Sequence, residues 1–277
     1  MKAYLESKYD YIKLSGTFTP GGFYFIESRV HGLFACFYCI LYGLFICEME
    51  HLKPIIVLDK NHLYYDELYG NNIFTYYYKV EDIGQEPLGT IHVLNPSKFL
   101  HFCRISTKEK YISNILIKKY FILEDNLKKT IRDFSRDYFL GSRILGVHYR
   151  GKDKIKETHL VPFSEYLIKI DFLLDNNICD KVFFVTDELH LRKYVSARYQ
   201  NKVILYNLEA DYSNIGPDKR EGLHFSNLNS PYLHAKDALL ECYLLSECHL
   251  FMSSNHSSMS LFATFINPRL AHIIIEP

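Results

Sequence analysis

The chain has 277 residues, with 32 Lys+Arg against 32 Asp+Glu, 23% charged residues and 48% hydrophobic residues. Charge this balanced excludes a disordered chain and an acidic or basic tail protein, and there is none of the cationic excess that non-specific nucleic-acid binding requires. The length suits one large domain or two small ones, with about three quarters of the extended chain's surface buried on folding.

Taken in chain order, the first residues, MKAYLESKYDYIKLSG, lack the uninterrupted apolar stretch of a signal peptide. YIKLSG reads as a strand, TPGG (19–22) as a turn, residues 26–50 as a helix and PIIVLD (54–59) as the next strand. Inside that helix, Gly32 to Cys47 is 16 residues without a charge. A spanning helix needs about 20 apolar residues, so a buried helix of an α/β layer is the expectation and no clear transmembrane segment is assigned. The seven cysteines (36, 39, 47, 103, 179, 242 and 248) are odd in number and spread through apolar segments, as reduced thiols are. Cys36-x-x-Cys39 has the spacing of a redox or zinc half-site but no second pair, and it fits buried core thiols better. The run of Tyr64, Tyr65, Tyr76, Tyr77 and Tyr78 suits core packing, with contact to a sugar acceptor as the other use for such rings. Lys108–Leu140 has the pattern of one or two long amphipathic helices.

The second half alternates regularly. ILGVHY (144–149) is a short β-branched run followed by Gly151, and Pro162 opens the periodic helix FSEYLIKIDFLLDN. KVFFVTD (181–187), a charged helix to about Tyr199 and KVILYN (202–207) come next. A loop over about 208–231, a helix from Leu233 to Glu247, the strand HLFMSS, a short helix after Asn255 and a closing strand HIIIE complete the chain. Strands separated by helical segments of this length imply βαβ units and parallel sheets. The expected architecture is α/β, with two Rossmann-like domains, roughly 1–140 and 141–277, whose parallel sheets face a cleft.

Open parallel sheets bind ligands beyond the carboxyl ends of their strands. Here those ends carry His148-Tyr149-Arg150-Gly151-Lys152-Asp153, Thr186-Asp187-Glu188 and Ser253-Ser254-Asn255-His256-Ser257-Ser258. Arg150 is the chemically telling residue, because a guanidinium fork matches phosphate oxygens and keeps its charge. Its plainer use would be a surface pair with Asp153. The Ser/Asn/His run before a helix offers hydroxyls and amides to a phosphate, or simply an N-cap.

The segment LGVHYRGKDKIKETHLVPFSEYL contains HxRxxD as His148–Asp153, followed by DKVFFVTDE and ALLECYLLSECHLFMSSNHSS. These three ordered blocks resemble the α-1,6- and α-1,2-fucosyltransferases and the protein O-fucosyltransferases, most of all the core α-1,6- and bacterial nodulation enzymes. The likeness spans most of 140–265 and, more loosely, 15–80. It implies a GT-B-like fold and an inverting, metal-independent glycosyltransferase that moves fucose from GDP-fucose to a hydroxyl of a saccharide. Arg150 matches the arginine that holds the donor β-phosphate. His148, Asp153, Asp187, Glu188, Glu241 and Ser257 match positions that line or support the donor pocket. Glu241 stands where the family usually has Asp, and Gly151 where it has a second arginine. No Asp-x-Asp occurs in the chain, in keeping with charge stabilisation by Arg150 and helix dipoles.

Direct displacement at the sugar carbon needs a base for the acceptor hydroxyl. Glu157 is the expected base, as the carboxylate of the loop after HxRxxD, with His159 as rival and a solvated loop charge as the plain reading. No cofactor is implied beyond GDP-fucose as donor substrate. The expected partners are the nucleotide-sugar and a glycan or glycolipid acceptor, with the acceptor on 1–140 and the nucleotide on 141–277. The expected location is the cytoplasm, free or membrane-associated. Two alternatives stand beside this reading: another nucleotide-sugar on the same scaffold, and a catalytically inactive nucleotide-sugar-binding protein.

Overall fold

The computed structural model describes residues 12–14, 18–28, 32–80, 86–93, 106–151, 161–212, 230–254 and 257–276. The chain is an α/β protein that divides into two compact units, Met1–Glu124 and Asp125–Pro277.

In the first unit, β1 (Ile12–Leu14), β2 (Phe23–Ser28), β3 (Lys53–Val57) and β4 (Gly89–Val93) form a sheet of order β1-β4-β2-β3. β2 runs parallel to both β3 and β4, and β1 adds antiparallel to β4 at the edge. The helix expected over 26–50 is therefore corrected at its start. Residues 23–28 are the strand β2, paired on both sides, and helix α1 spans Leu33–Met49. Tyr24 and Ile26, two residues apart, are both buried, which is the period of a strand. β4 was not foreseen in the sequence, nor was the four-residue helix α2 (Phe74–Tyr77).

α1 is buried on nearly every face, packing against β2, β3, β4 and helix α3 (Thr107–Tyr120). Gly43 permits the closest approach, since a Cβ there would lie 2.5 Å from Ile26 Cγ2. The apolar run from Gly32 is thus core, and no helix among the described residues is long and apolar enough to cross a membrane. Cys36 and Cys39 are buried free thiols, Cys36 Sγ lying 3.0 Å from His62 Nε2. Phe37, Phe74, Tyr78 and Phe121 interlock with ring centroids 4.7–6.3 Å apart. Tyr64, Tyr76 and Tyr77 are buried with them, while the Tyr76 hydroxyl is 2.8 Å from the carbonyls of both Asp66 and Gly70. These tyrosines do structural work, closing the 66–70 turn and filling the core.

The second unit opens with α4 (Asp125–Tyr138). The boundary expected near 140 falls after this helix, whereas the units separate before it. Phe134 and Phe139 pack edge-on against Phe183 of the second sheet, and the Ser135 hydroxyl donates to Glu247. The long segment over 108–140 is accordingly two helices, one in each unit.

β5 (Ile144–Tyr149), α5 (Phe163–Asp175), β6 (Lys181–Thr186), α6 (Leu189–Tyr199), β7 (Val203–Ile204), α7 (Pro231–Ser246), β8 (Leu250–Ser254), α8 (Ser258–Ile266) and β9 (Ala271–Ile275) complete it. The sheet is wholly parallel, of order β7-β6-β5-β8-β9. Numbered within the unit, that is the 3-2-1-4-5 order of a doubly wound Rossmann fold, whose direction reverses between β5 and β8. Every residue of β5 is buried, as a central parallel strand with helices on both faces must be. Leu145, Val147, Val182, Phe184 and Met252 share the core with Tyr166, Ile170 and Val195 from the helices.

Candidate functional site

The parallel register pairs Tyr149 with Thr186, so the next residue of each strand, Arg150 and Asp187, emerges at the same edge. Arg150 Nη1 lies 3.1 Å from Asp187 Oδ2, with the two side chains only 13% and 6% exposed. Neither Asp187 carboxylate oxygen has a hydrogen-bond partner among the described residues. Two desolvated charges are held together by Coulomb attraction, and no described residue fills the carboxylate's acceptor sites. Burying an ion this way costs several kcal/mol unless further hydrogen bonds are made, and a bound ligand is one source of them.

His148 lies two residues before Arg150 and is buried. Its Nδ1 is 2.7 Å from Ser260 Oγ and 3.4 Å from Ser257 Oγ. Ser257 caps α8, its hydroxyl accepting the Ser260 N–H at 3.4 Å. The imidazole thus ties the switch-point strand to the first turn of the helix after β8. Burial, and then the Arg150 charge, push its pKa down to about 3. It stays neutral at working pH, so the positive charge belongs to Arg150 and to the α8 amides.

Glu188 follows Asp187 and stands at the N-cap position of α6, its own N–H donating to Thr186 Oγ1 at 3.2 Å. Its carboxylate lies against the Gly151 backbone so closely that a Cβ at Gly151 would be 1.6 Å from Glu188 Oε1. Any larger residue at 151 would make the Glu188 side chain move.

Glu241, on α7, is engaged from inside the protein. Arg192 of α6 donates from Nη1 to Glu241 Oε1 at 2.7 Å and from Nη2 to the Tyr206 carbonyl, with both charged residues buried. Burial pushes the Glu241 carboxyl up to about 7 against the opposing pull of Arg192, and the nearby Asp237 and Asp187 charges push the same way. One turn earlier on α7, fully buried Asp237 accepts the N–H of Glu209 at 3.0 Å and of Ala210 at 2.9 Å. Burial also raises its pKa, and those two amides oppose the rise.

Of the residues singled out in the sequence, Arg150 joins Asp187, His148 joins Ser257, and Glu188 stands beside both strand ends. Asp153, Glu157 and His159 lie outside the described residues. Arg192, Asp237 and Ser260 escaped the sequence reading. Asp237 and Glu241, two acids four residues apart on one face of a largely apolar helix, were the available signal.

No family model matches the chain, and no curated protein matches it. Solved structures do. The fucosyltransferase NodZ from Bradyrhizobium superposes with a TM-score of 0.58 at 15% identity, over 91% of this chain and 95% of that one. The NodZ alpha-1,6-fucosyltransferase soaked with GDP-fucose gives 0.57 at 14% identity, over 90% and 94%. The same enzyme co-crystallised with GDP gives 0.57 at 14%, over 93% and 96%. The chain therefore has the fold of the GT-B fucosyltransferases.

Proposed function

We propose that this protein is an inverting glycosyltransferase that transfers fucose from GDP-fucose to a hydroxyl of a glycan or glycolipid. The observation that carries the reading is the buried Arg150–Asp187 pair at the strand ends beside the switch point of a Rossmann sheet, with no hydrogen bond to the carboxylate among the described residues. The solved structures of like fold include one soaked with GDP-fucose, which supports the choice of donor.

In this mechanism Arg150 and the first-turn amides of α8 take the diphosphate and hold the negative charge that grows on it as the sugar bond breaks. Asp187 fixes the guanidinium and keeps two acceptor positions for the nucleotide. Neutral His148 holds the α8 cap in place without competing for the phosphate. The acceptor hydroxyl attacks from the opposite face of the sugar, and Glu157 takes its proton. The second unit serves the nucleotide-sugar and the first serves the acceptor.

Thermal melting with GDP, GDP-fucose, GDP-mannose, UDP, UDP-sugars and CMP, each with and without EDTA, tests the donor site. A ligand at 100 times its dissociation constant adds about 2.7 kcal/mol. Stabilisation by guanine nucleotides alone, indifferent to EDTA and lost in Arg150→Ala, is the expected result. No shift with GDP, or a UDP shift abolished by EDTA, overturns the reading. If Glu157→Gln retains near-wild-type turnover while Arg150→Ala abolishes it, the base is elsewhere and the donor site stands.

A further inference from the structure

α7 grips the segment after β7 at three backbone points. Asp237 accepts the amides of Glu209 and Ala210, and Glu241 acts through Arg192, which donates to the Tyr206 carbonyl. Three ionisable side chains, all at most 7% exposed, are spent on fixing five residues of a connecting segment. Burying charge opposes folding, and the buried ends of the segment, Tyr206 and Ala210, need backbone partners. A brace of three charges also fixes the exposed Asn207 between them, where it can serve a ligand.

The place of the segment indicates which. It leaves the carboxyl end of β7, at the sheet edge that also bears Arg150 and Asp187, two strands away from β5. Two strand spacings are about 10 Å. That is the span over which a nucleoside separates its phosphate from the far edge of its base. Arg192 also connects the two ends of this stretch, since it sits one turn into the helix that Glu188 begins. Asn207 lies exposed between the pinned residues Tyr206 and Glu209, and its amide can both donate to and accept from a base edge.

Resting on the donor reading above, we infer that Tyr206–Ala210 is the wall that reads the nucleotide base. Asn207 is its side-chain contact, and Asp237, Arg192 and Glu241 are its positioning residues. Glu241 then acts on the donor through Arg192 and the Tyr206 carbonyl.

Calorimetric titration with GDP, UDP and inorganic pyrophosphate separates base from phosphate. Asn207→Ala is expected to weaken GDP at least tenfold, leaving pyrophosphate affinity within twofold and the melting temperature unchanged. Asp237→Asn, which keeps one acceptor oxygen for two amides, should reduce the preference for GDP over UDP at least tenfold, again sparing pyrophosphate. Should Asp237→Asn fail to fold, Asn207→Ala decides alone. Wild-type preference for GDP in both variants overturns the base wall and leaves the donor reading intact. A wild-type protein that binds neither GDP nor pyrophosphate overturns both.

Discussion

Two buried arginine–carboxylate pairs lie along the second sheet, and they are built differently. Arg150 and Asp187 meet at 3.1 Å with no hydrogen bond to either carboxylate oxygen among the described residues. Arg192 and Glu241 meet at 2.7 Å through a hydrogen bond, and the guanidinium also holds a backbone carbonyl. The first pair keeps bonding capacity in reserve and the second uses it within the fold. Burial is common to the two pairs, and the saturation of their polar atoms is what differs.

The sharpest way to break this comparison is to remove each arginine. Arg150→Ala should lower the transfer rate about 10³-fold, or about 4 kcal/mol, with loss of stabilisation by GDP in a melting assay. Retention of a tenth of the wild-type rate would remove Arg150 from the mechanism. Arg192→Ala leaves Glu241 and the Tyr206 carbonyl without their buried donor and should cost about 3 kcal/mol of stability in urea unfolding. Combining Arg192→Met with Glu241→Leu should recover most of that loss; equal costs for the single and double changes would show that the pair is not the cause.

Two pH experiments have smaller expected effects. The folded His148 refuses a proton until about pH 3, whereas an unfolded imidazole takes one near 6.5. Acidification through that window should therefore destabilise the protein by up to a few kcal/mol, a slope absent from His148→Asn. Glu241 has the opposite sign. Its folded carboxyl holds a proton up to about 7, against 4.5 for the ordinary group, so its ionisation weakens the fold as pH rises through that range. Wild type should gain about 2 kcal/mol relative to Glu241→Gln on going from pH 7 to pH 5, read from unfolding midpoints. A flat difference would mean that Arg192 compensates the charge fully.

The second unit was readable because central parallel strands are buried on both faces. ILGVHY and KVFFVT stand out as largely apolar runs, and polar residues follow at their carboxyl ends. The first unit hid its order. β2 is aromatic and lies only four residues before an apolar helix, so no change of period announces where the strand stops. β4, with Gly89 and His92 in five residues, carries too little apolar content to declare itself, although it is the partner of both β1 and β2. Arg150 and Asp187 could be found because strand ends bring neighbours together by rule. Arg192 could not, because its partner Glu241 lies 49 residues away and a lone arginine on a helix reads as a solvated charge.

The strand order of the second sheet also bears on how the protein is made. Leu145 of β5 pairs with Leu250 of β8, and the whole of α5 through α7 comes between them in the chain. During synthesis from the amino end, β5, β6 and β7 can assemble well before β8 leaves the ribosome. In that interval one side of a largely apolar strand stands bare, which is the template for adding a strand from another molecule. Contacts of such sequence separation also form slowly. The side of β5 that β8 later covers is thus an aggregation hazard in the nascent protein, and any truncation before Leu250 makes that exposure permanent.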